Sequence, residues 1–462
     1  MAEDTTKTVD PAQEAETYTL DELRQLYTEH GLEKLDAARL QATSPYTVGS
    51  FLSRLAVDDR RVVLRRISLE HATAILSEMD ADDAAAVVEA MREPRAVQIL
   101  EELDPDDTAD IIGEMEDADR ERLLGKVDSE TEATVRGLIA YEPDTAGGIM
   151  TPDIAVARPG MTVIQTVRYI QKLNDEYEHI FYVYVVDEEQ RLLGVVSMRD
   201  LVMHGPLDYL RDIMTTSNNM KGVCPVDMDQ EDVARLMAEL NLNALPVVDA
   251  DNRLVGMVTH DDVLDIIQSE ATEDIQKMVG AGGDEAVDDP ISISIKRRSP
   301  WLVVNLFTAL IAGGVVYAFE KQISQLTILA VCMPIVANLS GNTGAQTLAV
   351  IIRSLAMGNI HSGEDRRVCI RECAKGLLNG LLIGLLSATI VGVFSSDVMT
   401  AVVVFIAMIL SMTYAGMAGA LIPLILDKVG FDPAQSSSIF LTASTDIVGF
   451  GIFLGLGSWL LL

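Results

Sequence analysis

The stretch Ser436–Leu462 (SSSIFLTASTDIVGFGIFLGLGSWLLL) decides the architecture of the C-terminal third of the chain. It is longer than the roughly 20 apolar residues that an α-helix needs to cross a bilayer, and Asp446 is its one formal charge. A carboxylate at mid-span costs about 2.5–3.5 kcal/mol on insertion scales, and the stretch holds no Lys, Arg or His to neutralise it. We therefore expect Asp446 to line a water-filled cavity and to meet a cation or a proton there. A protonated Asp446, hydrogen-bonded inside a helix bundle, is the alternative.

Four more stretches are long and apolar enough to cross a bilayer, and none of them carries a formal charge. They are Trp301–Phe319, Gln322–Ile352, Gly376–Ser396 and Val398–Leu426. Together with the C-terminal stretch they predict a transmembrane domain of five helices over residues 299–462. Asp446 is the only charged side chain inside these five candidate spans. A single acid in that setting indicates a functional role.

The charge of the chain is concentrated before this membrane domain. The 462 residues include 70 Asp plus Glu and 35 Lys plus Arg. Residues 296–462 hold 8 of the acids and 10 of the bases, so residues 1–295 hold 62 acids and 25 bases, a net charge of −37. Nucleic acids are bound through Lys and Arg, so this balance argues against a nucleic-acid partner. It favours metal cations as partners or, alternatively, the solvated surface of a halophilic protein.

The first 145 residues divide into a polar tail, residues 1–19, which is predicted to be disordered, and an acidic helical N-domain, residues 20–145. Three segments of this domain resemble one another: MDADDAAAVVEAM (79–91), LDPDDTADIIGEM (103–115) and MEDADRERLLGKV (115–127). In the middle copy Asp104 is placed to cap a helix whose first turn holds Pro105. Short helices of this kind bury a core by stacking, which predicts an α-solenoid. Capping is our main interpretation of the acids at the helix starts.

A second internal repeat follows, with a period of 62–64 residues. Ile149-Met150-Thr151 recurs as Ile213-Met214-Thr215, and the segment 191–200 recurs as 253–262. Each copy is predicted to contain helix, strand, turn, strand and helix. The predicted strands are Phe181–Val186 and Leu193–Ser197 in the first copy, and Ala244–Val248 and Leu254–Thr259 in the second.

Two such copies, residues 146–210 and 211–268, resemble a pair of cystathionine-β-synthase-type (CBS) domains. In that family the signature G-x-x-[ST]-x-x-D, at the end of a strand, can hold the ribose of a nucleotide. The matching residues are Gly194, Ser197 and Asp200 in the first copy and Gly256, Thr259 and Asp262 in the second. The resemblance implies that Ser197, Asp200, Thr259 and Asp262 hold ATP or another adenylate. The alternative is that the hydroxyl residues only cap helices while each Asp complements the helix dipole.

The segment 269–298 is predicted to be a linker helix that leads directly to the first span. Asp265, Glu270, Glu273 and Asp274 fall at helical spacings of three and four residues, where like charges repel by a few tenths of a kcal/mol per pair. A solvated helix face is the bland interpretation of this acidity. The segment ends in a Gly- and Asp-containing stretch, AGGDEAVDDP, before Lys296-Arg297-Arg298.

The loops predict the orientation of the membrane domain. Basic residues precede the first span and fill the loop between the second and third spans, residues 353–375, whereas the other loops hold few. The positive-inside rule therefore places the N-terminal domains in the cytoplasm and the C-terminus outside the plasma (inner) membrane.

The second span contains an unusual polar stretch, Gly341-Asn342-Thr343-Gly344-Ala345-Gln346. Two glycines and an Asn in an apolar run predict a local break in the helix, which is tolerated only beside a cavity. Oxygens of Gly341, Asn342 and Gln346 suit a hard cation such as Mg²⁺, which keeps several of its waters. Hydrogen bonding between helices by the amide side chains is the alternative.

These features together resemble the MgtE family of magnesium channels and transporters over nearly the whole chain. The motifs that match are Pro334…Gly341-Asn342…Gln346, Ser-Glu-Ala-Thr-Glu-Asp (Ser269–Asp274) and Thr-Asp-Ile-Val-Gly (Thr445–Gly449). The resemblance implies a homodimer in which Asp446 of both chains holds hydrated Mg²⁺. It also implies that the linker helix plugs the pore when Mg²⁺ bridges acids at Asp229, Glu231, Asp262, Asp265, Glu270, Glu273 and Asp274. One position departs from the family, where Asn241 replaces an acid.

Three functions are consistent with the sequence. The first is a Mg²⁺-selective channel with negative feedback, the second an ion-coupled divalent cation transporter, and the third a membrane-tethered CBS sensor of adenylates. Pure anchoring does not need Asp446 or the polar second span, which counts against the third. The chain has no P-loop, phosphorylated-Asp motif or zinc-protease motif, so we do not expect an enzyme.

Overall fold

The computed structural model describes residues 17–173, 180–220, 222–283, 285, 287, 291–360, 363–435 and 437–462. The chain forms two compact units, residues 1–267 and 268–462. Of the predicted disordered tail, residues 1–16 lie outside the described residues. The prediction is wrong for its end, because Tyr18 is buried and its backbone N–H donates to Thr43 Oγ1 at 2.9 Å. Thr19 then caps the first helix in a capping box with Glu22.

The N-domain is a stack of ten short helices. They are α1 Leu20–His30, α2 Ala37–Ala42, α3 Pro45–Leu52, α4 Val57–Leu64, α5 Leu69–Ser77, α6 Ala81–Ala90, α7 Glu93–Glu102, α8 Pro105–Gly113, α9 Asp117–Leu124 and α10 Ser129–Ile139. Apart from α2, each helix packs mainly on the next but one. Helices α1, α3, α5, α7 and α9 therefore form one layer, and α4, α6, α8 and α10 form the other. The predicted α-solenoid is thereby confirmed.

The repeat that follows forms two small sheets, each flanked by helices. The strands are β1 Val156–Ala157, β2 Tyr182–Val186, β3 Leu192–Ser197, β4 Thr215–Thr216, β5 Cys224–Pro225, β6 Ala244–Val248 and β7 Leu254–Thr259. The helices are α11 Val163–Leu173, α12 Met198–Met203, α13 Leu210–Ile213, α14 Gln230–Leu240 and α15 His260–Val279. The first sheet has the order β1-β2-β3-β4 and the second β5-β6-β7, and the first two strands of each are parallel. The predicted strands are therefore confirmed to within one residue.

The two copies exchange their leading segments. Thr151, near the start of the first copy, pairs with Met257 on β7 of the second copy, with both backbone N–H···O distances at 2.9 Å. Thr215, near the start of the second copy, pairs with Val195 on β3 of the first. A Cβ on Gly256 would lie 2.7 Å from the Thr151 carbonyl oxygen, and one on Gly194 would lie 2.5 Å from that of Thr215. The glycine of each signature is therefore required for this close approach.

The described part of the second unit contains five helices long and apolar enough to cross a membrane. They are α16 Ile291–Ala318, α18 Thr327–Ala356, α19 Asp365–Ser395, α20 Val398–Val429 and α21 Ser437–Leu460, with the short α17 Glu320–Gln325 between the first two. Helices α19 and α20 form the most extensive pair. They approach closely because α19 presents a glycine to the α20 backbone: a Cβ on Gly380 would lie 2.8 Å from Ile409 Cα.

The predicted break in the second span is wrong, because α18 is continuous from Thr327 to Ala356. Gly344 of the polar stretch serves close packing against α21 and α20. A Cβ on Gly344 would lie 3.0 Å from Leu441 Cδ1, and one on Gly419 would lie 2.5 Å from the Gly344 carbonyl oxygen. Thr343 returns its hydroxyl to the Leu339 carbonyl at 2.9 Å, so it is satisfied within the helix.

Candidate ion pathway and acidic sites

The polar stretch of α18 and the Asp446 motif of α21 lie side by side. A Cβ on Gly341 would be 4.0 Å from Thr445 Oγ1, and one on Gly449 would be 3.6 Å from Ser340 Oγ. Residue numbers fall along α18 as they rise along α21, so the two helices are antiparallel here. Thr445 precedes Asp446 directly, which places the carboxylate at the level of the Gly341–Gly344 turn.

The candidate pore side chains lie outside the tightly packed core of the membrane helices. Asn342 and Gln346 are exposed on one face of α18, and Asp446 is half-buried on α21. Within the described residues Asp446 forms no hydrogen bond or ion pair. Asn342 Nδ2 donates to Asn338 Oδ1 at 3.3 Å, which leaves the Asn342 amide oxygen outward. Gly341 has a different position from the one expected of a ligand, because its carbonyl belongs to a continuous helix.

A first group of acids connects α8 with the start of α15. Asp106, Asp107 and Asp110, which we call the α8 acids, lie near Asp262. Burial, together with Asp107 and Asp262, raises the pKa of Asp106 well above its ordinary value. The Oδ1 atom of Asp106 is buried and has no hydrogen-bond partner among the described residues. The surrounding protein and the same two carboxylates raise the pKa of Asp110 to about 7, although its side chain reaches the surface. Burial also raises the pKa of Asp262.

A second group connects α6 with α15 in the same way. Burial, Asp82, Asp83 and Asp265 all raise the pKa of Asp80, at the start of α6. Neither Asp80 nor Asp104 forms a side-chain capping bond, although both occupy N-cap positions. Our capping interpretation is therefore wrong for these two acids. Because of it, the sequence analysis did not identify Asp80 as a neighbour of Asp265.

The end of α15, from residue 268 onward, belongs to the second unit. A third group of acids lies where this end contacts the membrane-spanning helices and their loops, which we call the membrane unit. Glu270, Glu273 and Asp274 lie near Asp432, in the loop between α20 and α21. Burial, followed by Asp432 and Glu270, raises the pKa of Asp274 to about 6. Lys277 Nζ lies 2.5 Å from Glu273 Oε1 and 3.0 Å from Asp432 Oδ2. No sequence pattern pointed to Asp432, which is remote along the chain and is preceded by an ordinary Gly-Phe turn.

Two further predicted sensor residues lie elsewhere. Asp229 caps α14 by accepting the backbone N–H of Glu231 at 2.9 Å, and its own backbone pairs with Thr145. Among the described contacts Asp229 does not join the three acidic groups above. Asn241, where the family has an acid, is the C-cap of α14 with φ of +51°. Asn adopts this left-handed conformation readily, which gives the departure a local structural reason.

The two adenylate signatures have different surroundings. Both close on themselves: Ser197 Oγ donates to Asp200 Oδ2 at 2.7 Å, and Thr259 Oγ1 donates to Asp262 Oδ2. The first pair lines a cavity of about 310 Å³, together with Tyr182, Tyr184 and residues of β6. The Tyr184 hydroxyl is buried at this cavity and has no partner within the described residues. Asp262 instead faces the α8 acids.

No three His, Cys, Asp or Glu side chains in the described part of the chain converge tightly enough to hold a bare metal ion.

Comparison with known families decides the assignment. The MgtE divalent cation transporter family matches residues 333–456, the MgtE intracellular N domain matches 43–144, and CBS domains match 146–205 and 210–269. The magnesium transporter MgtE of Thermus thermophilus is 38% identical over 337 residues, which are 72% of this chain and 73% of that protein. The chain belongs to the MgtE family. The family resemblance and the predicted fold class are thus confirmed.

Other MgtE proteins show the same extent of similarity. The magnesium transporter MgtE of Enterococcus faecalis is 35% identical over 324 residues, 70% of this chain and 71% of that protein. A solved cytosolic domain of the Mg²⁺ channel MgtE, in complex with ATP, is 36% identical and covers 54% of this chain and 99% of its own, with a TM-score of 0.48. As an MgtE protein, the chain has a bilayer as its environment.

Proposed function

We propose that the protein is a Mg²⁺-selective channel that admits Mg²⁺ to the cytoplasm and closes when cytosolic Mg²⁺ binds its acidic sites. The observation that carries the proposal is the adjacency of Asp446 and the Asn342–Gln346 face on two antiparallel helices. A carboxylate and neutral amide oxygens together suit an ion that holds most of its waters. The membrane is the plasma (inner) membrane, with residues 1–298 in the cytoplasm and the C-terminus outside.

We place the pore between two copies of the chain. One Asp446 supplies a single negative charge, whereas two copies supply the two that a divalent ion needs. Asn342 and Gln346 are exposed on their own subunit, so they are available to a shared pathway. Homodimerisation is therefore part of the proposal.

The closing signal follows from the electrostatics of the acidic groups. Burial raises the pKa values of these carboxylates, and their neighbouring carboxylates raise them further. The ionised groups therefore repel one another in the compact arrangement. Mg²⁺ that binds between the α8 acids and Asp262, between Asp80 and Asp265, or between Asp274 and Asp432 relieves that repulsion. Several weak sites acting together supply the several kcal/mol that a nearly complete population shift requires. Asp229 and Glu231 stay candidate ligands.

The ion-coupled transporter is the second candidate, because a membrane carboxylate can also carry protons. We expect a channel to need only the voltage and the Mg²⁺ gradient. In proteoliposomes at a clamped voltage, collapsing the proton gradient should leave Mg²⁺ influx unchanged. Influx that falls several-fold after this treatment would favour the coupled transporter, and replacing Na⁺ with K⁺ at constant voltage tests coupling to Na⁺ in the same way.

We also propose that the cavity beside Asp200 binds ATP or another adenylate, with Ser197 and Asp200 on the ribose. Hydrogen bonds to a charged group contribute about 1.5–3 kcal/mol, so Asp200→Asn should weaken adenylate binding at least tenfold by calorimetry of the full chain. Asp262→Asn is the matched control from the second copy and should leave the affinity unchanged, because Asp262 faces the α8 acids. Equal losses in both variants, or no loss in Asp200→Asn, would contradict this assignment.

A further inference from the structure

The end of α15 is held on the membrane unit by apolar and ionic contacts. Met278 packs in an apolar cluster with Leu348, Ala418 and Leu441. Just beyond the helix, Gly280 has φ of +75°, and a Cβ there would lie 3.2 Å from both Ile439 Cδ1 and Trp301 Cβ. The chain is thus fitted closely against the membrane helices at this point.

Lys277 is the cation in this contact. Its Nζ bridges Glu273 Oε1 at 2.5 Å on its own helix and Asp432 Oδ2 at 3.0 Å on the membrane unit, and the side chain is 26% exposed. The other oxygen of Asp432 accepts the backbone N–H of Ala434 at 2.7 Å. Both oxygens of Asp432 therefore have fixed partners, which aims one of them at the ammonium group.

The segment after Gly280 strengthens this geometry. Gln276 exchanges two hydrogen bonds with the backbone of Glu285, both at 2.9 Å. The Glu285 side chain pairs with Arg298, whose Nε lies 2.8 Å from Oε2. Glu285 is therefore held against the end of α15 at Gln276, next to Lys277 in the sequence.

We propose that Lys277 is a built-in cation that docks the linker helix on the membrane unit when no divalent ion is bound there. Glu273, Asp274 and Asp432 carry three negative charges, and without Lys277 their repulsion would drive the helix away. With Lys277 in place the net charge of the whole third group, which also includes Glu270, falls from −4 to −3, and a bound divalent ion lowers it further. The inference rests on the proposed regulatory role of these acids, and it assigns to Lys277 the docking that precedes Mg²⁺ binding.

The test compares the full chain in lipid nanodiscs with EDTA and with saturating Mg²⁺. The readout is hydrogen–deuterium exchange at the amides of Gly280 and Ala281, which donate to the carbonyls of Lys277 and Gln276. Lys277→Met should raise exchange in EDTA roughly tenfold, the factor for an ion pair between the surface and buried cases, and Mg²⁺ should restore protection. Lys277→Arg, which keeps the charge, should remain close to the wild type in EDTA.

A double-mutant cycle separates the bridge from a general loss of helix stability. Asp432→Asn alone should raise exchange in EDTA as Lys277→Met does, and the double variant should add little to either. Lys375→Met removes a different ion pair, with Glu372 at 2.5 Å on α19, and should change nothing at residues 280–281. Unaltered exchange of Lys277→Met in EDTA, or additive effects in the cycle, would overturn the inference. Because the readouts in EDTA need neither Mg²⁺ nor transport, they stand apart from failure of Mg²⁺-dependent closure.

Discussion

Asp446→Asn is expected to abolish Mg²⁺ influx while the protein remains folded. An amide keeps the size of the side chain but removes the charge that faces the ion. A unit charge at about 4–5 Å contributes on the order of 3–4 kcal/mol at an effective dielectric constant near 20, so influx should fall at least a hundredfold. A Mg²⁺-sensitive dye inside proteoliposomes measures this, with the voltage and the Mg²⁺ gradient fixed.

The matched control for this variant is Asp397→Asn, at the start of α20. Asp397 accepts the backbone N–H groups of Met399 and Thr400 on its two oxygens, at 3.1 and 3.0 Å, and an Asn keeps one of these acceptors, which suffices for an N-cap. Influx through this variant should equal that of the wild type. Near-normal influx through Asp446→Asn, with an unchanged melting temperature, would remove Asp446 from the pathway and favour the interpretation as a buried, protonated acid.

Neutralising the α8 acids should produce the second large effect, the loss of Mg²⁺-dependent closure. The variant carries Asp106→Asn, Asp107→Asn and Asp110→Asn together. It removes the repulsion that separates α8 from Asp262 when Mg²⁺ is low, so the compact arrangement no longer needs the ion. Protease protection of the cytoplasmic domains should then be high in EDTA, and its Mg²⁺ dependence should flatten at least several-fold. Limited proteolysis across a Mg²⁺ titration measures both quantities.

The neighbouring repeat supplies a control with the same change in charge. Glu116→Gln, Asp117→Asn and Asp119→Asn neutralise the start of α9, where Asp117 and Asp119 pair with arginines of their own helix. This variant should keep the wild-type titration. Lower pH gives an independent check: because the compact state raises the pKa of Asp110 to about 7, it gains stability as pH falls through 7. Wild-type protection in EDTA should therefore rise between pH 8 and 6, and a flat profile would count against the repulsion.

The fold was largely predictable because its determinants are local. The β2, β3, β6 and β7 strands and the five spans follow from short apolar runs, which fix an element without knowledge of its neighbours. The acidic sites were less predictable, because an acid at a helix start looks the same whether it caps the helix or faces another carboxylate. Asp128 and Asp106 illustrate this, because Asp128 caps α10 by accepting two backbone N–H groups, whereas Asp106 lies near Asp262.

The continuous α18 illustrates the opposite difficulty. A glycine-rich stretch with an Asn has two physical uses in a membrane helix, a break in the backbone or close contact between helices. The choice depends on the partner surface, here Leu441 and Gly419, which lies far away in sequence. Asp432 was missed for the same reason, because its importance comes only from its contact with Lys277.

The exchange of leading segments between the two CBS copies makes them inseparable as folding units. A fragment that ended near residue 210 would lose Thr215 as the edge partner of β3, and a fragment that began there would lose Thr151 as the partner of Met257. Each half would leave an unpaired strand edge and a glycine with nothing packed against it. The two copies must therefore be truncated or transplanted together, as one pair. A substitution at Gly194 or Gly256 will also disturb the copy that does not contain it, because the other copy packs against that glycine.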